Sequence, residues 1–324
     1  MEFQPDTQVC TFYPETRVPD AKGARRAASL CSFAAVAEIT IAYALLIPTT
    51  LLTRDISMSD QMRSNLSLII NTAVIDLIAM PLCWLLLLLI PKDASPEIGT
   101  RTPLSFKKLL FYFPCAFALM LAGSLTGRLI DALLGGDLSN VVSDTMSAVD
   151  PWVTLLCAVI VGPIAEELFF RKAMIDRLSA YHPTDAILLS ALLFGLIHGN
   201  LTQFLYAFPL GVLFGIIYYR TQNIGYTIVL HVVINCFGGL LPQLLTMLEE
   251  RAPEYASSLV SLLYMQFVLA MCVLGIIFLI RRRRAFLPIP SDVPRFRRPF
   301  YINAGFIVAS IVFTALFVLT EILA

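Results

Sequence analysis

The sequence has few charged residues for its length, and this scarcity excludes an ordinary water-soluble domain. Only 14% of the 324 residues are Asp, Glu, Lys or Arg, whereas 58% are hydrophobic. Soluble domains carry about a quarter charged residues. The 23 basic residues are balanced by 23 acidic ones, so the chain also lacks the net positive charge that nucleic-acid binding exploits. We therefore expect a membrane protein with the lipid bilayer, and no nucleic acid, as a partner.

Cysteine pairs or clusters with the spacing of a metal site are also lacking. Six of the 7 cysteines lie inside apolar runs, far from one another in sequence. Disulfide frameworks and zinc sites need closer and more regular spacings. We therefore interpret these cysteines as small buried hydrophobic residues.

What the chain does contain is a series of long apolar runs. About 20 apolar residues are needed for a helix to cross the hydrocarbon core. The runs predict an all-α, polytopic transmembrane helical bundle of about nine spans, or eight if the fifth and sixth form one broken unit. The predicted spans are 28–52, 68–90, 109–135, 152–175, 185–200, 201–219, 223–245, 259–280 and 301–322.

The basic residues are distributed unequally between the two sides of this predicted bundle. Nineteen Lys and Arg residues fall on the side of the N-terminal tail and only three on the other. Cytoplasmic loops of membrane proteins carry an excess of Lys and Arg. The N-terminus is therefore predicted to be cytoplasmic. The first apolar run, about 25 residues long, exceeds the apolar region of a cleaved signal peptide and predicts a retained first span.

Polar groups that are costly to place in a membrane are concentrated in three predicted spans. An ionisable side chain at the bilayer centre costs roughly 2.5–3.5 kcal/mol on insertion scales, so each one needs a partner, a water-filled cavity or a function. Four others are scattered singly and are predicted to be structural: Glu38, Asp76, Arg128 and Asp131. The concentrated groups are Glu166, Glu167 and Arg171 in the fourth span, His198 in the fifth, and His231 and Asn235 in the seventh.

Helical spacing predicts how these groups are arranged. Glu167 and Arg171 are four residues apart, so they share a helix face and can form an ion pair. Glu166 then remains without a cation and is available as a base. His231 and Asn235 are also four apart and present an imidazole and an amide in one direction. Any single buried His or Asn is explained by a hydrogen bond between helices, but six such groups on three helices favour a polar cavity between the fourth, fifth and seventh spans.

The three motifs together resemble those of a known family. Glu-Glu-x-x-x-Arg at 166–171, Phe-x-x-x-His at 194–198 and His-x-x-x-Asn at 231–235 occur in this order on successive spans. This constellation resembles the CPBP intramembrane proteases, which include the type II CAAX prenyl endopeptidases and Abi-like bacterial proteins linked to bacteriocin self-immunity. The resemblance covers about residues 150–240.

The resemblance implies roles for the six residues in peptide hydrolysis. Glu166 and His198 are expected to hold and activate the attacking water, with the carboxylate as general base. His231 and Asn235 are expected to stabilise the oxyanion on the scissile carbonyl. Glu167 and Arg171 are expected to be a supporting ion pair. The expected substrate is a membrane-associated peptide, either a prenylated CAAX-type C-terminus or a bacteriocin-like propeptide.

Three other interpretations remain open. No cofactor is favoured, but Glu166, His198 and His231 could supply ligands for zinc, which would make the enzyme a metalloendopeptidase. The sequence His-Glu-x-x-His is absent, so these ligands would come from separate helices. A proton-coupled carrier also uses buried carboxylate and histidine clusters. A catalytically idle membrane scaffold or immunity protein is the third interpretation.

The resemblance also suggests a division of the chain. Residues 1–27 are predicted to be a cytoplasmic tail, 28–149 N-terminal membrane helices, 150–245 the catalytic membrane core and 246–324 C-terminal membrane helices. A bacterial plasma membrane is the favoured location, with the endoplasmic reticulum as the alternative.

Overall fold

A computed structural model describes residues 20–90, 106–133, 148–282 and 295–323. Within these ranges the chain is helical and contains no strand. The protein is therefore an all-α polytopic membrane protein, as predicted. Most of the N-terminal tail 1–27, most of the acidic loop 136–151 and most of the connector 281–299 lie outside the described residues.

The helices follow the predicted spans in number and order. Seven helices in the described ranges are long and apolar enough to cross a membrane, and two further apolar helices, Pro183–Leu196 and Ala304–Thr320, are shorter. The helices are α1 (Ala21–Thr53), α2 (Asp60–Leu87), α3 (Phe106–Leu133), α4 (Pro151–Leu178), α5 (Pro183–Leu196), α6 (Leu201–Thr221), α7 (Ile224–Arg251), α8 (Glu254–Arg281), α9 (Arg297–Tyr301) and α10 (Ala304–Leu323).

Three of the long helices change their winding part-way along. Wider π-helical turns interrupt α2 at Ala73–Ala79, α4 at Leu155–Val161 and Glu167–Ile175, and α7 at Cys236–Leu240. Such turns are rare in proteins, and those that do occur often lie at functional sites. They alter which side chains share a face, so a strict 3.6-residue period does not describe these helices.

The fifth helix is shorter than its predicted span of 185–200. It ends at Leu196, so His198 lies in the turn before α6 and not inside a membrane helix. Gly199 in this turn has φ +69°, a backbone conformation that a glycine adopts without strain. The turn gives the chain room to reverse, which separates α5 and α6 into a helical hairpin.

The same boundaries explain how His198 can reach the level of Glu166. α4 continues past Arg171 to Leu178, twelve residues beyond Glu166. α5 returns over a comparable length before it reaches His198. The two residues therefore lie at similar depths and line the same cavity.

α5 and α6 pack closely because small residues line their contact. A Cβ on Gly211 would lie 3.1 Å from Cα of Ala191, and a Cβ on Gly215 would lie 2.9 Å from the Ile187 side chain. Small residues at such contacts allow helix backbones to approach. The main hydrophobic core lies beside this pair and joins α1, α2, α4 and α5.

Candidate active site

A cavity of about 300 Å³ lies within the bundle and is lined by all four predicted catalytic residues: Glu166, His198, His231 and Asn235. The predicted cavity between the fourth, fifth and seventh spans is thus present, but its walls also include α2, α3 and α6. The other polar side chains in its wall are Thr72, Asp76, Ser124, Thr154, Gln203 and Tyr206.

The predicted ion pair on α4 is present and completely buried. Arg171 Nε lies 3.2 Å from Glu167 Oε2, and both side chains are 0% exposed. The Arg171 guanidinium carbon also lies 4.1 Å from the centre of the Phe194 ring. A guanidinium over an aromatic face gains electrostatic attraction. Phe194 of the second motif therefore stabilises Arg171 of the first motif in its buried position.

Glu166 and Glu167 are neighbours in sequence but have different environments. The Glu166 side chain is 19% exposed, whereas that of Glu167 is fully buried. Glu166 Oε2 lies 3.5 Å from His231 Nε2, and no ion pair in the described ranges joins Glu166 to Lys or Arg. Glu166 is therefore the carboxylate that faces the cavity, as the spacing of the motif predicts.

His231 lies between the two carboxylates. Its Nδ1 is 3.0 Å from Glu167 Oε1, and its Nε2 faces Glu166. A carboxylate only accepts hydrogen bonds, so Nδ1 carries the proton that it donates to Glu167. Helical spacing within α7 predicts that His231 shares a face with Asn235, but it contains no information about the contact of His231 with Glu167 on α4.

The hydrogen bonds of His198 determine which of its nitrogens carries a proton. Nδ1 lies 2.8 Å from the backbone oxygen of Phe194. A carbonyl oxygen accepts, so Nδ1 donates, and in the neutral ring Nε2 is left as an acceptor. The turn that holds His198 is itself supported, since Asn200 Nδ2 donates to the His198 carbonyl at 3.2 Å and Thr320 Oγ1 to the Gly199 carbonyl at 2.9 Å.

Asn235 is fixed by a contact with α4. Its Nδ2 donates to the backbone oxygen of Ala158 at 2.9 Å. A side-chain amide nitrogen has two N–H donors, so one remains for a ligand in the cavity. This contact connects α7 to the first π-helical stretch of α4, and the sequence contains no signal for it.

Asp76 is the chief addition that the structure makes to the predicted site. The sequence predicted an isolated structural carboxylate, but Asp76 lines the same cavity as Glu166. It is 9% exposed, and no ion pair joins it to a basic side chain within the described ranges. A carboxylate in the middle of an apolar run was the available signal, but only the packing of α2 against α4 makes it part of the site.

The arrangement of donors does not form a ready metal site. The zinc alternative needs Glu166, His198 and His231 around one point, yet no three His, Cys, Asp or Glu side chains in the described ranges are grouped to hold a metal. His231 also uses Nδ1 on Glu167 and has Nε2 beside Glu166. As placed, these side chains do not fit a zinc ion.

A second, apolar cavity adjoins the first at Asp76. It has a volume of about 360 Å³ and lies between α2 and α4. Its walls are almost wholly hydrocarbon and include Leu77, Trp84, Ile164 and Leu168. A hydrocarbon group can therefore lie directly beside the polar cavity.

Comparisons with known proteins agree with the resemblance drawn from the three motifs. Residues 148–237 match the family described as type II CAAX prenyl endopeptidase Rce1-like. The chain is also 30% identical over 129 residues to the protein named "Putative membrane peptidase YdiL" of Bacillus subtilis (strain 168). That match covers 39% of this chain and 51% of the relative, so the chain spans about half the length of the curated relative. No solved structure matches the chain.

Proposed function

We propose, because residues 148–237 match the Rce1-like family and the three motifs resemble those of the CPBP intramembrane proteases, that this protein is an intramembrane endopeptidase. It hydrolyses a peptide bond of a membrane-associated substrate, either a prenylated CAAX-type C-terminus or a bacteriocin-like propeptide. The observation that carries the proposal is that Glu166, His198, His231 and Asn235 line one cavity within the bundle.

The attacking water is activated by Glu166 and His198. The carboxylate and the unprotonated Nε2 of His198 are both acceptors, so one water can donate a hydrogen bond to each and keep a lone pair for the carbonyl carbon. Glu166 takes the proton as the bond to carbon forms. Such proton transfer by a positioned side chain contributes about 10²–10⁴-fold to the rate.

The oxyanion is stabilised by donors from α7. The second N–H of Asn235 donates without any change in charge. In the ring form that carries a proton on both nitrogens, His231 donates through Nε2, which lies at the cavity wall beside Glu166. Donors fixed in place before the reaction stabilise the developing charge without reorganisation. The buried pair of Glu167 and Arg171 holds His231 in its position.

The apolar cavity supports a substrate with a hydrocarbon group. A prenyl chain or the apolar side chains of a propeptide would lie between α2 and α4, with the scissile bond in the adjoining polar cavity. Because lipid is as apolar as a protein core, such a group can pass from the bilayer into this cavity at little cost, and a membrane-anchored peptide would be held beside the polar cavity.

The proposal is tested with Glu166→Gln, which keeps the shape of the side chain and removes the base. The purified protein is assayed on matched farnesylated and unmodified peptides, and we expect cleavage by the variant to fall by about 10²–10⁴-fold. Glu250→Gln is the matched control, since Glu250 is exposed at the end of α7 and its replacement should leave the rate unchanged. Wild-type rates in Glu166→Gln would contradict the proposal.

A metal chelator distinguishes the metal-independent protease from the zinc-dependent one. Activity that persists after exhaustive chelation agrees with hydrolysis by Glu166 and His198 alone. Loss of activity that added Zn²⁺ restores would instead identify the zinc-dependent version. If the wild-type protein cleaves neither the farnesylated nor the unmodified peptides, the interpretation as a catalytically idle scaffold replaces the interpretation as an enzyme.

A further inference from the structure

Two carboxyl groups from different helices line the polar cavity. Glu166 comes from α4, and Asp76 comes from α2. A Cβ on Gly162 would lie 3.8 Å from Asp76 Oδ2. Gly162 precedes Glu166 by four residues, which is about one helical turn. The Asp76 carboxyl group therefore lies against the part of α4 that is one turn away from the proposed base.

A third carboxyl group lies behind them. Glu38 on α1 is only 1% exposed, and its Oε2 has no hydrogen-bond partner in the part of the chain that the structure describes. Glu38, Asp76 and Glu166 are close enough for their charges to repel one another. No ion pair within the described ranges joins Glu38 or Asp76 to Lys, Arg or His.

Such a group of acids cannot all be ionised in an apolar bundle. Burial of an unpaired carboxylate is costly, and like charges in one site make the second ionisation harder still. At least one of the three acids therefore carries a proton. Two carboxyl groups that differ in protonation are the usual means of placing a base and an acid in one site.

We propose that Asp76 is a second catalytic carboxyl group, which donates its proton to the nitrogen of the leaving amine. The inference rests on the proposed peptidase function and names the acid that this function leaves unassigned. Glu166 has His231 beside it and is the base, whereas no ion pair within the described residues joins Asp76 to a basic side chain, so Asp76 is the acid.

The proton transfers balance over one turnover. Glu166 takes one proton from water as the hydroxide oxygen bonds to the carbonyl carbon. Asp76 then gives its proton to the amide nitrogen, the C–N bond breaks, and the bonding electron pair stays on nitrogen. The products are a carboxylic acid and an amine. Water in the cavity returns the proton from Glu166 to Asp76, which restores both groups.

The position of Asp76 suits this role. It lies in the walls of both the polar cavity and the apolar one, so it flanks the path between them. It is also the central polar residue of the π-helical turn Ala73–Ala79 in α2. A substrate whose hydrocarbon lies between α2 and α4 would bring its scissile bond to this point.

The test compares two substrates that differ only in the leaving group. An amide nitrogen must be protonated before it leaves, whereas a thioester expels a thiolate without a proton. For Asp76→Asn we expect the kcat for the peptide to fall by about 100-fold or more. The kcat for the matched thioester should stay within about threefold of the wild-type value, because it needs only the base. Glu166→Gln should lose activity on both substrates.

Two further variants separate chemistry from folding. Asp76→Glu keeps a carboxylic acid and should retain more peptide cleavage than Asp76→Asn. Asp60→Asn is the control for the same change on the same helix, since Asp60 is exposed at the start of α2. Its rates on both substrates should equal those of the wild type. Thermal unfolding in detergent checks that each variant is folded.

The outcomes distinguish this inference from the proposed function. Equal losses on peptide and thioester, or no loss on either, would overturn the role of Asp76 while Glu166→Gln still tests the protease. If the wild type cleaves neither substrate, or if Glu166→Gln cleaves both at the wild-type rate, the proposed function itself fails and this inference fails with it.

Discussion

The α4 helix and the α8 helix are equally long and both apolar, yet they have opposite environments. Each has 28 residues, but half of the most apolar window of α4 is buried within the protein, against 11% for α8. α4 carries Glu166, Glu167 and Arg171, whereas α8 has no charged residue between its first and its last. Because lipid is as apolar as a protein core, apolar content does not distinguish the two. The membrane-buried charges of α4 distinguish it from α8, since such charges need partners from other helices.

The strongest test of this comparison removes the buried cation of α4. Arg171→Ala leaves Glu167 buried with only His231 as its ionic partner, and we expect the free energy of unfolding to fall by about 3–5 kcal/mol. Unfolding in detergent measures the change. Arg171→Lys keeps the charge but not the planar contact with Phe194, so its loss should be smaller. A loss below about 1 kcal/mol in Arg171→Ala would show that the pair behaves as an exposed one.

A second test concerns the one face of α8 that does pack. A Cβ on Gly275 would lie only 2.0 Å from the backbone oxygen of Pro114 on α3. Gly275→Ala therefore has to push the two helices apart, and we expect a loss of about 1–3 kcal/mol in the free energy of unfolding. Met265 is 63% exposed on the same helix, and Met265→Leu should change stability by less than about 0.5 kcal/mol. Equal stabilities for the two variants would contradict the packing of α8 on α3.

The smallest expected effect comes from the turn between α4 and α5, outside the membrane spans. His182 is 8% exposed, and burial lowers its pKa from the ordinary value of about 6.5, against the opposing effect of Asp185. The unfolded chain then binds the proton first, so stability is full above about pH 6.5 and decreases as the pH falls through that value. His182 Nδ1 caps α5 by accepting from Asp185 N.

Thermal unfolding between pH 5 and 8 measures this dependence. His182→Asn keeps a good capping residue and removes the titrating group. As the pH is lowered from 8 to 5, we expect the stability of the variant to fall less than that of the wild type. An identical pH profile in the variant would contradict the assignment.

Much of the site was predictable because its chemistry lies within single helices. Glu167 and Arg171 pair at a spacing of four, and the same spacing places Glu166 on the other side of that pair. The membrane class follows from composition, and the resemblance to a protease family from three motifs in order. In each case the relevant residues are close in sequence, so helical periodicity or a short pattern is sufficient.

Other parts of the site were not predictable because they depend on contacts between helices. The link from His231 to Glu167 crosses from α7 to α4, and that from Asn235 to Ala158 does the same. The placement of His198 in a turn required the true end of α5. The π-helical turns also depart from the 3.6-residue period that was used to predict which side chains share a helix face.

The amino-acid sequence by itself determined that this chain is a helical membrane protein with an ion pair, a second carboxylate and polar donors in three motifs, since insertion cost and helical spacing act locally. Only the tertiary structure decided that Asp76 from α2 shares a cavity with Glu166, and that one imidazole serves both glutamates of α4. These contacts depend on which helices pack together, and in an apolar bundle the packing partners are chosen by shape rather than by any pattern along the chain.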